Sequence, residues 1–159
     1  MAEITTRSMT PEDIEGVLAL LREFAVYENL ADYLEVDAER LRAALFSEAA
    51  TAEALVASVG EALVGYAFFY PTFSSFRGQR GFYLEDIYVT AAHRGSGVGH
   101  KLLRHLARTG AERGYERIDF LVLDWNTPAI GFYKKLGAVI DESERHFKFV
   151  DSAFKQLAG

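Results

Sequence analysis

"EDIYVTAAHRGSGVGHKLLRHLA", residues 85–107, is the stretch on which the fold turns. It opens with the β-branched and aromatic run Ile87-Tyr88-Val89, which favours a strand. It then passes through Arg94-Gly95-Ser96-Gly97-Val98-Gly99, after which Val98, Leu102, Leu103 and Leu106 recur at helical spacing. A strand that enters a helix through such a turn presents amide hydrogens the helix cannot use, at the positive end of its dipole. Glycines there permit positive backbone angles and let a ligand lie against the main chain, and Arg94 adds a mobile positive charge beside it. The pattern predicts a site for a phosphate or pyrophosphate. Taken alone, a glycine-rich turn is equally an ordinary flexible connection. The glycines fall at every second position, not as G-x-G-x-x-G, and no Gly-Lys-Ser or Gly-Lys-Thr follows, so a dinucleotide site or a nucleotide triphosphate loop has little support.

Working outward, Ile4–Arg7 is a predicted strand. Thr10-Pro11-Glu12-Asp13 begins a helix whose apolar face (Ile14, Val17, Leu18, Leu21, Phe24) runs to about Tyr27. Asp37 caps a second helix carrying Leu41, Ala44 and Leu45. Leu55–Ser58 and Leu63–Tyr70 form a hairpin turning at Gly60-Glu61, and Phe82–Val89 is a central strand. The helix after the turn stops at Gly114. A strand at Ile118–Leu123, a short helix at Pro128–Leu136 and closing strands at Ala138–Ile140 and Arg145–Val150 complete the order. There is no internal repeat or low-complexity linker, so residues 1–159 are expected to form one domain of the mixed α/β (α+β) class.

The chain has 159 residues, half of them apolar, enough for a real core. Its formal charge of −6 argues against a nucleic-acid binder and suits a cationic ligand. With no cysteine, disulfides, thiolate metal sites and cysteine nucleophiles are excluded. His93, His100, His105 and His146 show no metal-ligand spacing; His100 and His105 are five apart where a helix needs four, so no metal is expected. The N-terminus has neither a signal-peptide pattern nor a membrane span, which gives a cytoplasmic expectation.

Arg94-Gly95-Ser96-Gly97-Val98-Gly99 after a strand resembles the R/Q-x-x-G-x-G/A motif of the GNAT acyltransferase superfamily, whose turn holds the pyrophosphate of acetyl-CoA. "DWNTPAIGFYKKLGA", residues 124–138, resembles the same family's asparagine followed by a tyrosine-bearing helix. Within it, "FAVYENLADYLEVDAERL", "FYLEDIYVTAAHRGSGVG" and "FLVLDWNTPAIGFYKKLGA" are similar to the spermidine/spermine (diamine) N-acetyltransferases and their thialysine branch. The tail departs from that group, having no tryptophan before Arg145.

The resemblance implies a mostly antiparallel mixed sheet, splayed between two central strands and flanked by about four helices. It implies acetyl transfer from acetyl-CoA to a primary amine of a small diamine, polyamine or aminoalkyl amino acid, by direct attack and in a homodimer. Backbone amides of Ile87, Tyr88 and Val89 would hold the pantetheine arm as an added strand, with one facing the thioester oxygen. Arg94, Gly95, Ser96, Gly97, Val98, Gly99 and His100 would hold the phosphates, with Lys101 and Arg104 toward the ribose phosphate, and Asn126 would bond the pantetheine arm.

Tyr133 matches the family's general acid toward the leaving thiolate, although Phe132-Tyr133 also fits an aromatic packing pair. Glu85 and Asp86 interrupt an apolar strand, and simple alternation sets them on opposite faces. By resemblance Glu85 meets the substrate amine and takes its proton. Glu28 matches a substrate-contacting acid, with Tyr27 as an aromatic wall. Asp119, Asp124, Glu142 and Glu144 read as surface charges. The competing class is a non-catalytic CoA-binding or sensor domain, which would need neither Tyr133 nor Glu85; a nucleotide-binding signalling protein rests on the glycine turn alone.

Overall fold

In the computed structural model, which describes residues 2–159, five strands form one sheet in the order β1-β2-β3-β4-β5. The strands are β1 (Ile4–Ser8), β2 (Glu53–Val59), β3 (Ala62–Ser74), β4 (Gln79–Val89) and β5 (Arg117–Phe120). Pairing is antiparallel from β1 through β4 and parallel between β4 and β5. Five α-helices accompany them: α1 (Ile14–Tyr27), α2 (Ala38–Phe46), α3 (Val98–Glu112), α4 (Thr127–Lys135) and α5 (Asp151–Ala158). The parallel pair follows from chain order, since α3 is the crossover that returns the chain beside β4.

Local chemistry sets the boundaries. Arg7 at the end of β1 grips both carboxylate oxygens of Asp13 at 2.7 and 2.9 Å, and Asp13 accepts the Thr10 amide at 2.8 Å. These bonds hold the Asp13 carboxyl down at about 2, so the strand-to-helix corner stays charged at any ordinary pH. Asp37 accepts the Arg40 amide at 2.8 Å as the cap of α2. A side chain at Gly81 would strike the Arg117 carbonyl, so glycine there lets β5 begin alongside β4.

Apolar side chains fill both faces of the sheet. On one, α1 and α2 pack over Val56, Tyr66, Phe68 and Tyr88; on the other, Val98, Leu102 and Leu106 of α3 pack over Leu55, Ala67, Phe82 and Leu84. Register shifts between Ala57 and Ser58 and between Phe68 and Phe69 mark two bulges. By contact density the chain divides into two units, one running to Leu121 and the other from Val122 to Gly159.

The expected strand at Ile118–Leu123 ends at Phe120, and pairs with β4 only from Gly81 to Leu84. The predicted closing strands at Ala138–Ile140 and Arg145–Val150 do not form: residues 136–150 carry no regular element. Val139, Phe147 and Phe149 stand exposed, so alternation of apolar residues was present there without a sheet edge to pair with. Instead the chain ends in α5, which the sequence reading did not anticipate, making five helices where about four were expected. No helix among the described residues is long and apolar enough to cross a membrane.

Candidate active site

The glycine turn is built as its composition demands. Gly95 and Gly97 lie at φ +77° and +93°, in the left-handed region that glycine alone enters cheaply, and a Cβ at either would meet nothing within 4 Å. The main chain is therefore open to a ligand on that side. Gly97 caps α3, its carbonyl taking the Lys101 amide at 3.0 Å, while helix geometry leaves the amides of Val98, Gly99 and His100 without intrahelical partners. Buried Val98 anchors the first turn, and His100 is exposed. Ser96 braces the loop by donating its hydroxyl to the His93 carbonyl at 2.6 Å, and the His93 ring shares a 2.8 Å hydrogen bond with Thr90 Oγ1. A phosphate or pyrophosphate fits this cradle.

Arg94 is docked where the sequence suggested a mobile charge. Its Nε donates to the Val89 carbonyl at 3.2 Å, and its guanidinium lies 4.3 Å above the Tyr27 ring and 5.6 Å from that of Tyr88. It thus ties the end of β4 to the end of α1 through a cation on two aromatic faces.

From Glu85 to Val89, β4 pairs with β3 on one side only. Because β5 stops opposite Leu84, no strand among the described residues takes up the other edge. Ile87, Tyr88 and Val89 thus present an unpaired strand edge leading straight to the glycine turn, the arrangement an extended ligand joins by main-chain hydrogen bonds.

The bulge overturns the expectation of simple alternation. Phe68 pairs with Asp86 and Phe69 with Leu84, leaving Glu85 as the extra residue. Leu84 faces α3, but so do Ile87 and Val89, and Tyr88 faces α1. Asp86, paired with Phe68, is carried onto the α1 face beside Tyr66 and Tyr88, while Glu85 is exposed at the bulge.

Asp86 is half-buried, and no hydrogen bond or salt bridge to it forms among the described residues. Loss of solvent, then the nearby charges of Glu85 and Glu28, push its carboxyl up to about 7. Glu28, at the C-terminal end of α1, is also raised by loss of solvent. Glu23 accepts the Tyr88 hydroxyl at 3.2 Å. The Tyr66 hydroxyl is buried without a hydrogen-bond partner among the described residues, and burial together with the Asp86 charge pushes it far above the usual phenol range. Three carboxylates thus share one field, with no cation among the described residues bonded to any of them. Sequence reasoning missed Asp86 and Tyr66 as members of this group. The signal was the adjacent acid pair in an apolar strand, which a bulge accommodates and alternation does not.

In the second unit, Asn126 is buried and caps α4, its Oδ1 accepting the Ala129 amide at 3.3 Å. Tyr133 lies on α4, half-buried, its ring edge-on to Phe132 at 5.2 Å. Gly137, at φ +94°, ends the helix in the left-handed form.

Lys101 and Arg104 line a cavity of about 320 Å³ between β1 and α3, shared with Ile4, Thr6, His105 and Arg108. Lys101 Nζ donates to the Ile4 carbonyl at 2.8 Å, so this lysine is directed to the sheet edge and not to the glycine turn. Among the described residues no group of three or more histidines, aspartates or glutamates is arranged to hold a metal ion.

A model of the Acetyltransferase (GNAT) family matches residues 18–138, which include the open strand edge, the glycine turn and α4. The chain belongs to the GNAT acetyltransferase family. Its members use acetyl-CoA. Over its whole length the chain is 37% identical to the thialysine N-epsilon-acetyltransferase of Bos taurus, covering 99% of that protein, and 35% identical to that of Mus musculus with the same coverage. Over 83% of its length it is 34% identical to spermidine/spermine N(1)-acetyltransferase-like protein 1 of Homo sapiens, of which it covers 20%. An integron cassette protein from the mobile metagenome of V. cholerae has the same fold, with a TM-score of 0.82 over 99% of this chain and 98% of that one at 22% identity.

Proposed function

We propose that this acetyltransferase moves an acetyl group from acetyl-CoA to a primary amine of a small molecule that carries a second positive charge: a diamine, a polyamine or an aminoalkyl amino acid. The observation that carries the reading is the unpaired edge of β4, which ends in the glycine turn and runs beside Glu28, Glu85 and Asp86. A cationic ligand replaces the solvent that Glu28 and Asp86 have lost and relieves the repulsion among the three carboxylates. The names of the full-length relatives, whose acceptor is an aminoalkyl amino acid, support this class.

Phosphates are held by the amides following Gly97 and by Arg94, Gly95, Ser96 and His100, and the pantetheine arm by the amides of Ile87 to Val89 and by Asn126. One of these strand amides faces the thioester oxygen, where it stabilises the charge that develops as the acyl carbon is attacked. Glu85, with Asp86 at its side, takes the proton of the incoming ammonium, and Tyr133 gives its phenol proton to the sulfur as the carbon–sulfur bond breaks. The nitrogen–carbon bond forms in the same encounter, with no covalent bond to the enzyme, and the second proton that the nitrogen sheds in becoming an amide replaces, through solvent, the one Tyr133 gave to the sulfur. Residues 1–159 act as one catalytic domain, and two chains associate; the exposed Val139, Phe147, Phe149, Phe154 and Leu157 supply apolar surface for that association.

The test is acetylation, read by mass, of a panel containing thialysine, ornithine, putrescine, spermidine and a monoamine of matched length. Doubly charged acceptors are expected to show at least tenfold higher kcat/KM than the monoamine. Binding of CoA with no turnover on any amine would favour the sensor-domain reading, and equal rates on mono- and diamines would remove the carboxylate group from acceptor recognition.

A further inference from the structure

Tyr66 is the one buried side chain among the described residues whose polar atom has no hydrogen-bond partner. Its ring is fully enclosed in the centre of β3, 4.8 Å from the Phe68 ring and 6.2 Å from that of Tyr88. Phenylalanine would fill this volume without leaving a donor unpaired, and a buried hydroxyl with no partner costs stability. Phe68, two residues along on the same face, shows that the layer accepts phenylalanine.

The register says where the hydroxyl's partner lies. Tyr66 pairs with Tyr88 and Phe68 with Asp86, so Asp86 is the diagonal cross-strand neighbour of Tyr66 on the α1 face. Diagonal neighbours lie roughly 7–8 Å apart at the backbone, within reach of an aromatic side chain. The bulge at Glu85 permits the juxtaposition, because under unbroken alternation Asp86 would share the α3 face of Leu84. A water between a hydroxyl and a carboxylate has the minimum of two polar partners it needs to be ordered in a protein interior.

We propose that the Tyr66 hydroxyl donates, through one ordered water, to the Asp86 carboxylate, making Tyr66 a positioning residue that sets the pH at which Asp86 takes up or releases a proton during amine acetylation. The catalytic consequence rests on the function proposed above; the contact itself does not. Glu85 on β4 and Glu28 on α1 raise the proton affinity of Asp86, and burial acts in the same direction. Tyr88 is engaged with Glu23, and Arg94 with the Val89 carbonyl and the Tyr27 ring. A donor at Tyr66 would be the counterweight, because hydrogen bonding to the ionised form lowers a carboxyl's midpoint.

The experiment compares wild type with Tyr66→Phe. The first measurement is the Asp86 titration midpoint by carbon-13 carboxyl NMR on the protein without substrate. The second is the acidic limb of the kcat/KM profile. Loss of the donor is expected to raise the midpoint by about one pH unit, the size for a hydrogen bond to a charged group, and to move the acidic limb the same way. A thermal melt establishes that Tyr66→Phe is folded; at pH 8, where Asp86 is ionised, the variant is expected to be the less stable protein, since the carboxylate has lost its donor. An unchanged Asp86 midpoint in a folded Tyr66→Phe variant overturns the proposal, whatever the activity. A shifted midpoint with no amine acetylation by wild type would retain the contact and remove the proposed function instead.

Discussion

Replacing Asp86 by asparagine isolates the cost of holding a carboxyl away from water beside two like charges. Its folded-state midpoint of about 7 stands against an ordinary value of 3.8, a difference of about three units. At about 1.4 kcal/mol per unit, this is about 4 kcal/mol of stability at most, forgone at neutral pH and above. The sign follows from proton binding. Between pH 4 and 7 the folded chain keeps a proton on Asp86 that the unfolded chain has released, so wild-type stability falls as pH rises through that window. Below pH 4 both states are protonated and the cost vanishes; above 7 it is complete. Asp86→Asn has no such proton, and every other acid titrates in both proteins. The difference in unfolding free energy, measured by urea denaturation at pH 4, 5.5, 7 and 8, should therefore grow from near zero to a few kcal/mol in favour of the variant. For a chain of this length that raises Tm by roughly 10 °C at pH 8. A difference that stays flat across the series, or that turns against the variant at pH 8, would refute the desolvation argument. If Asp86 serves the acceptor amine, the stabilised variant will also be the slower enzyme.

Gly97→Ala places a side chain at φ +93° and should cost about 1–2 kcal/mol in a thermal melt, together with at least tenfold weaker binding of acetyl-CoA by calorimetry. Retention of full affinity would remove the phosphate from the turn. Tyr133→Phe keeps the ring beside Phe132 and deletes the phenol proton, so kcat should fall by roughly ten- to a thousandfold while the acetyl-CoA Kd and Tm hold. Unchanged turnover, with acetyl transfer shown by pre-steady-state kinetics to limit the rate, would leave Tyr133 as a packing residue.

Much of the fold was legible because its signals are local. The Thr10-Pro11 start of the first helical segment, the Asp37 cap, the Gly60 hairpin and the glycine turn each depend on a few neighbouring residues. The two places where the reading failed depend on distant ones. Phe147 and Phe149 alternate with polar residues as strand residues do, but a strand forms only against a partner edge, which the pattern cannot supply. The assignment of faces around Glu85 failed for the same reason. A bulge is a property of the pairing between β3 and β4, and its mark in the sequence, two acids in succession, has several explanations until the register is known. Arg94 was expected as a free charge because nothing in its own segment announces Tyr27, 67 residues earlier in the chain.

The extra residue in β4 also works as a phase shifter. Upstream of Glu85 even-numbered residues face α3, as Phe82 and Leu84 do; downstream the odd-numbered Ile87 and Val89 take that side. Deleting Glu85 would therefore be unlike deleting any residue upstream of it. Leu84 and Asp86, which already pair with the consecutive Phe69 and Phe68, would become neighbours, and Phe82, Leu84, Ile87, Tyr88 and Val89 would each keep their layer. Alignments or designed libraries that place a one-residue gap at Glu85 thus compare like faces, whereas a gap placed upstream of Leu84 compares side chains on opposite sides of the sheet.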